Sequence, residues 1–420
     1  MISALYVPPG SAGREAAEGL AWLWRLGPVM DSAAPDAVGL GGDAESDHLT
    51  GLVSEGSLAG AVLFVSGPRA PGRAVSTGVA RFPGGERVRG EFTLFEGGDS
   101  AVRSSLGTHA VREGKVLLLG ADVASWWGRI EYHWVLEALE PFLTEVLGRA
   151  PIKLPPVGIV RLDDAPGTAQ HQMQGDAKPD SRQSSRLRSL RLTYGRAGAC
   201  LNTAVTAEAL EDRKRVPLDE VWPDAVAQLR AGVEEGSFEP VCHGLLHLVP
   251  EKMERGEIDW FEFRELDRDE AGRRIDKASE WQEAKLGRAP ATFVAPAWGY
   301  SEGALAAAAE RDLPAWLPPQ PGPLLDGPNL RETLDPALRG IYKLDYRPLA
   351  RWARAGMPPT LVFHGGLFDL RFALLRPAHD YVTLARLMLK RDIFRIPGVE
   401  GVRWVGAGEY AELLKDHANR

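Results

Sequence analysis

Apolar and polar positions alternate along this 420-residue chain in two regimes. In the first 150 residues, short apolar runs read as buried strands: SALYV near the start, AGAVLFVSG (59–67), EFTLFEGG (91–98) and GKVLLLGAD (114–122). Helical spacing covers Arg14 to Leu26, with Trp22 and Trp24, and Ile130 to Leu147. Strands alternating with helices predict an α/β layer with a mostly parallel sheet. The pattern breaks at GRAPIKLPPVG (148–158), where three prolines interrupt the helical spacing before a new strand opens. Domains at 1–150 and 151–420 are therefore expected.

Beyond residue 156 the alternation is more regular. Strand patterns at 157–162, 198–205, 238–242, 291–297, 359–363 and 401–405 are separated by helical patterns near 182–191, 218–234, 266–286, 301–312, 379–391 and 408–415. A run of β-α units of this length predicts a (β/α) barrel, with its active site at the C-terminal ends of the strands.

Composition narrows the class. With 44% hydrophobic and 25% charged residues the chain has a globular composition, and its net charge of −8 argues against nucleic acid as a partner. Only two cysteines occur, Cys200 and Cys242, too few for a disulfide framework. No apolar stretch reaches membrane-spanning length, and Arg14, Glu15 and Glu18 interrupt the apolar residues a signal peptide would need. A cytoplasmic protein with no membrane partner is expected.

The chemistry concentrates after two barrel strands. RLDDAPG (161–167) ends an apolar strand with Arg161 and two consecutive carboxylates, Asp163 and Asp164. Burying ionised carboxylates side by side requires a cation, a metal or a catalytic role. On a strand, Arg161 and Asp163 share a face, so the guanidinium can orient Asp163 and favour its ionised form, or simply neutralise the charge pair. After the strand FEPV, CHGLLH (242–247) sets His243 and His247 four apart. On a helical turn both imidazoles would project from one face and converge on a cation, and two imidazoles with a carboxylate form a common catalytic metal set. The polar segment 165–185 could fold over the site and bring His171 or Gln172 to a substrate. His48, His109, His133, His379 and His417 have no companion at ligand spacing and are expected at the surface or in hydrogen bonds. Cys242 reads as a small core residue.

These motifs resemble the polysaccharide deacetylase superfamily of the NodB-homology, carbohydrate esterase family 4 type. LDDAPG is similar to its first motif, CHGLLH to its second, TFVAPAWGYS (292–301) to its third and LVFHGG (361–366) to its last, and GVRWVGAGEYAELL to its final strand and helix, over roughly residues 156–415. The resemblance implies a distorted (β/α) barrel and a metal-dependent N-deacetylase acting on an acylated amino sugar or small biosynthetic intermediate. It implies Asp163 as general base, Asp164, His243 and His247 as metal ligands, and His364 as general acid. Zinc is the first choice of metal, with cobalt, nickel or iron compatible. Pro296 marks the third motif, and Trp298 and Tyr300 beside it are candidates to line the acyl or sugar pocket, with core packing the alternative.

Three departures qualify the resemblance. The arginine that usually opens the third motif is absent, with Val294 and Ala295 there, and Arg161 is the candidate substitute. Gly244 stands where the second motif usually has Ser or Thr. No clean fourth motif is found, although Asp345 and Trp352 in LDYRPLARW fall in the right region. The alternatives are a non-catalytic carbohydrate- or metabolite-binding protein on the same barrel and a metal-dependent esterase. More faintly, residues 117–143 resemble flavodoxin-like, glutamine-amidotransferase-type accessory domains, but residues 1–150 hold no cysteine for a thiol nucleophile. That implies a structural or binding domain. PPGSAG (8–13) lacks the Gly-Lys-Ser/Thr ending of a phosphate loop.

Overall fold

A computed structural model describes residues 4–66, 73–83, 87–123, 133–166, 180–211, 214–247, 261–317, 325–326, 329–331, 360–364 and 401–419, with 249, 351, 353, 354 and 356. The chain forms two compact units, one of residues 1–156 with 319–324 and 344–358, the other of 157–318, 325–343 and 359–420.

In the first unit, β1 (Ala4–Tyr6), β2 (Ala37–Gly42), β3 (Gly60–Phe64) and β8 (Val116–Leu119) are parallel neighbours in that order. Every residue of β1, β2 and β3 is buried, as a parallel sheet under helices requires. The helices are α1 (Arg14–Trp24), α2 (Ser46–Ser54) and α3 (His133–Leu147), and α2 packs on β2 and β3 around Leu49, Leu58 and Leu63. The other half of the sheet differs from the mostly parallel expectation. β4 (Arg73–Arg81), β5 (Arg87–Phe95), β6 (Asp99–Ser104) and β7 (Gly107–Glu113) are antiparallel to their neighbours. The connections explain this: β5, β6, β7 and β8 are joined by turns of two or three residues, too short for a parallel crossover. Gly97, Gly98 and Gly114 in these turns have positive φ. His109 and His133 are buried here rather than exposed. His109 Nε2 bonds Ser104 Oγ at 2.6 Å, and burial lowers its pKa to about 4.

The second unit is an incomplete ring of parallel strands, a distorted (β/α) barrel. β9 (Val157–Ala165) pairs in parallel with β10 (Leu201–Val205), which pairs with β13 (Phe238–Cys242). Between them in sequence, β11 (Glu208–Glu211) and β12 (Lys214–Pro217) form a separate hairpin. Parallel bridges from Cys242 to Phe293 and from Phe293 to Ala315 carry the order on to β14 (Trp316–Leu317), which joins a small sheet with β15 (Leu325–Asp326) and β16 (Asn329–Arg331). On the other edge of β9 lies β17 (Thr360–His364), and β18 (Arg403–Trp404) pairs in parallel with its first residues, Val157 and Gly158, where Cys200 N also donates to Trp404 O (3.0 Å), so the last strands pair with the first. Helices α4 (Asp180–Ala197), α5 (Pro223–Glu234), α6 (Arg268–Leu286) and α7 (Glu302–Ala309) alternate with the strands and pack in sequence. The helix expected at 379–391 lies outside the described residues. Among the described residues no helix is long and apolar enough to cross a membrane.

The last helix, α8 (Ala407–Asn419), is fastened to the strands by buried polar groups. Asn202 of β10, fully buried, donates Nδ2 to the carbonyls of Val160 (3.0 Å) and Val405 (3.2 Å) and accepts from Ala407 N (2.6 Å). Glu239 of β13 accepts from Gly408 N at 2.6 Å. Both side chains satisfy amides at a helix start that otherwise have no intrahelical acceptor. Asn202→Ala should cost about 2–3 kcal/mol, because one buried amide and two carbonyls lose their partner. Chemical denaturation should show a lower midpoint at an unchanged slope, and an unmoved midpoint would rule out this clamp.

Candidate metal centre and its flanking carboxylate

The site grows from an irregularity in β9. Arg161 and Asp163, two apart on one face, form a bidentate pair: Nε to Oδ1 at 2.6 Å and Nη2 to Oδ2 at 2.9 Å. Arg161 is fully buried and its guanidinium lies 5.4 Å from the centre of the Trp316 ring, a cation–π arrangement across the barrel interior. In a regular strand Asp164 would then face the opposite way. Instead Leu162 pairs with Thr203 and Ala165 with Val205, so two residues of β9 face one of β10, a β-bulge. Asp164 has φ +56, the left-handed region that non-glycine residues rarely occupy. Its Oδ1 lies 3.1 Å from His247 Nε2 and 3.3 Å from His243 Nε2.

The histidines arrive from the end of β13. His243 is tied at Nδ1 to the Val294 carbonyl (2.8 Å), and Val294 N in turn donates to Cys242 O (2.9 Å). A carbonyl accepts only, so Nδ1 carries the hydrogen and Nε2 presents a lone pair to the centre when the ring is neutral. The helical turn expected for residues 243–247 does not form. Gly244 has φ +79, and the Leu245 and Leu246 amides donate to the Glu262 carboxylate (2.9 and 3.1 Å) rather than to helix carbonyls. The rings still converge, with centroids 5.4 Å apart in an edge-on arrangement.

Asp164, His243 and His247 each offer one donor atom, and the three lie within 4.8 Å of one another. All three residues are buried. Burial lowers the His243 pKa, but the bond to Asp164 and the charges of Asp164 and Asp163 outweigh it, so its net shift is upward. The pocket thus favours a positive charge. Two imidazoles and a carboxylate, with one ring's tautomer set by an outer hydrogen bond, fit a first-row divalent metal.

The remaining expected residues separate by element. His364 lies in β17 with its backbone in register with Asp163. Val294 and Ala295 are buried apolar residues, and the guanidinium beside Asp163 comes from its own strand. Pro296 is buried and starts the short turn 296–298, in which Ala297 (φ +50) and Trp298 (φ +53) are both left-handed. Trp298 and Tyr300 are partly exposed, and Tyr300 bridges in parallel to Phe263, a core residue. Cys242 is buried, its thiol pushed up to about 12 by burial, as a core residue should be. His171, Asp345 and Trp352 lie outside the described residues. Sequence reasoning missed Glu262 and Trp316; Gly244 beside a candidate ligand was the one local sign that something occupies the space a side chain would fill.

At the level of sequence, no protein-family model and no curated protein matches the chain. Solved structures do. A pseudoenzyme from Bacillus anthracis is similar at 10% identity and TM-score 0.36, over 61% of this chain and 66% of that one, just under two thirds of its length. A family 4 acetyl xylan esterase from Clostridium thermocellum, in complex with a cobalt ion, matches at 14% identity and TM-score 0.33 over 62% and 90% of the two chains. The peptidoglycan deacetylase PdaC from Bacillus subtilis matches at 14% identity and TM-score 0.34 over 63% and 94%. Carbohydrate esterase family 4 proteins are among these neighbours.

The buried Arg161–Asp163 pair generates a stability test. Arg161→Leu removes the guanidinium from a carboxylate 4% exposed and should cost on the order of 3 kcal/mol or more. The double variant Arg161→Leu/Asp163→Leu should be less destabilised than Arg161→Leu alone. Strictly additive losses in denaturation would show that the two charges are not coupled.

Proposed function

We propose that the chain is a metal-dependent hydrolase that removes an acyl group from nitrogen, acting on an acylated amino sugar or a small acylated intermediate. The observation that carries this reading is the division of labour between adjacent carboxylates: Asp164 faces two imidazole nitrogens at 3.1 and 3.3 Å, while Asp163 is held by Arg161. Asp164, His243 and His247 would hold the metal. A divalent ion held there would lower the pKa of water and polarise an acyl carbonyl.

The chain's own residues supply the proton transfers. Asp163, kept in one orientation by two bonds from Arg161, takes a proton from the attacking water. His364, on the neighbouring strand in register with Asp163, is the assigned donor to the departing nitrogen. The C–N bond is replaced by a C–O bond from water, leaving a free amine and a carboxylate. The buried setting, with Trp316 behind Arg161, keeps the dielectric low around these charges. Trp298 and Tyr300, partly exposed on the segment that also orients His243, are the proposed contacts for the sugar or acyl group.

The test pairs metal content with rate. The metal-loaded protein should release acetate from at least one member of a panel of N-acetylated sugars, sugar nucleotides and small amides. Asp164→Ala should lose the metal and the activity together. Asp163→Asn should keep the metal while turnover falls by about 100-fold or more, the usual scale for a general acid–base group. An Asp163→Asn variant with full activity would contradict the mechanism, and binding of saccharides without hydrolysis across the panel would replace it with a binding function.

A further inference from the structure

Glu262 is wholly buried and lies outside every motif that marks the site. Its oxygens are all engaged. Oε2 accepts from Leu245 N at 2.9 Å and Leu246 N at 3.1 Å, and Oε1 faces Arg274 Nη1 at 3.3 Å. The two amides belong to the residues between His243 and His247. Consecutive amides aimed at one anion form a nest, in which the carboxylate fixes the backbone conformation.

The other side of the same loop is pinned as well. Ala207 N donates to Gly244 O (3.2 Å) and Glu208 N to Leu245 O (2.8 Å), so the loop is held through its amides by Glu262 and through its carbonyls by the chain entering β11. Gly244 is bound to this arrangement by space and by backbone. A Cβ there would come within 2.2 Å of Glu262 Oε2 and 2.5 Å of the Phe263 ring, at φ +79. Glycine at this place and the carboxylate at 262 therefore belong together. Burial raises the Glu262 carboxyl to about 7 against the pull of Arg274 and the two amides, and the group sits there because its bonds offset that cost.

We propose that Glu262 is the positioning residue of the metal centre: its carboxylate sets the backbone of residues 244–246 so that His243 and His247 converge on Asp164. This rests on the metal reading above. The segment carrying it is itself anchored, by the Phe263 to Tyr300 bridge and by Ser301 N donating to Phe263 O (3.0 Å), so the carboxylate is delivered from a fixed point.

The experiment titrates full-length apoprotein with cobalt(II), following visible absorption, for wild type, Glu262→Ala, Glu262→Gln and Gly244→Ala. Wild type should take up one equivalent. Glu262→Ala should bind about 10- to 100-fold more weakly with an altered spectrum, the range for losing an outer-shell partner. Glu262→Gln, which keeps an oxygen acceptor, should recover most of that affinity. Gly244→Ala, which displaces the carboxylate, should resemble Glu262→Ala and decides the matter if that variant does not fold. Wild-type affinity and spectrum in Glu262→Ala, or in Gly244→Ala where Glu262→Ala is insoluble, would overturn the inference while leaving the metal reading intact. A wild-type protein that binds no cobalt would remove the metal reading and this inference with it.

Discussion

Two ionised carboxylates on consecutive buried residues repel each other, and each needs its own compensation or one of them takes up a proton. Asp163 and Asp164, both about 4% exposed, meet this constraint with separate partners. Arg161 neutralises Asp163 through two parallel hydrogen bonds, and the two imidazoles face Asp164. What makes both partnerships possible is the bulge in β9. A regular strand would send one carboxylate among the helices, whereas the left-handed turn at Asp164 keeps both inside the ring. The local strain is carried by a strand buried along its whole length and paired on both edges.

Around that strand the site is assembled from groups that belong equally to the fold. The Val294 carbonyl fixes the tautomer of His243 while its amide extends the parallel bridging from β13. Trp316 supports Arg161 with its ring, donates its indole N–H to Thr292 Oγ1 (3.2 Å) and stacks on Tyr410 of α8, with centroids 6.0 Å apart. Core packing, the last helix and the charge on Asp163 are thus coupled, so substitutions in the second unit's core are expected to reach the carboxylate pair.

The sequence made some of this legible and hid the rest for physical reasons. Strand periodicity alone put Arg161 and Asp163 on one face, because a two-residue repeat is local. The spacing of His243 and His247 suggested convergence, but through a helical turn that does not exist; the same convergence comes from a loop whose amides are captured by a carboxylate fifteen residues beyond His247. That contact is non-local, and Glu262 between two phenylalanines carries no periodic signal of its own. The bulge was equally hidden, since nothing in LDDAPG distinguishes a strand that continues from one that turns. In the first unit, EFTLFEGG marked β5, whereas β4, β6 and β7 were not predicted; few residues of β4 and β6 are buried, so their apolar alternation is weak.

Anomalous diffraction from crystals of the full chain soaked in cobalt(II) tests the division between the two aspartates most directly. The account predicts one strong peak among Asp164, His243 and His247, at the ligand distance usual for such donors, with Asp163 still paired to Arg161. A peak with Asp163 among the ligands and Arg161 displaced, or no peak between the two histidines, would contradict it.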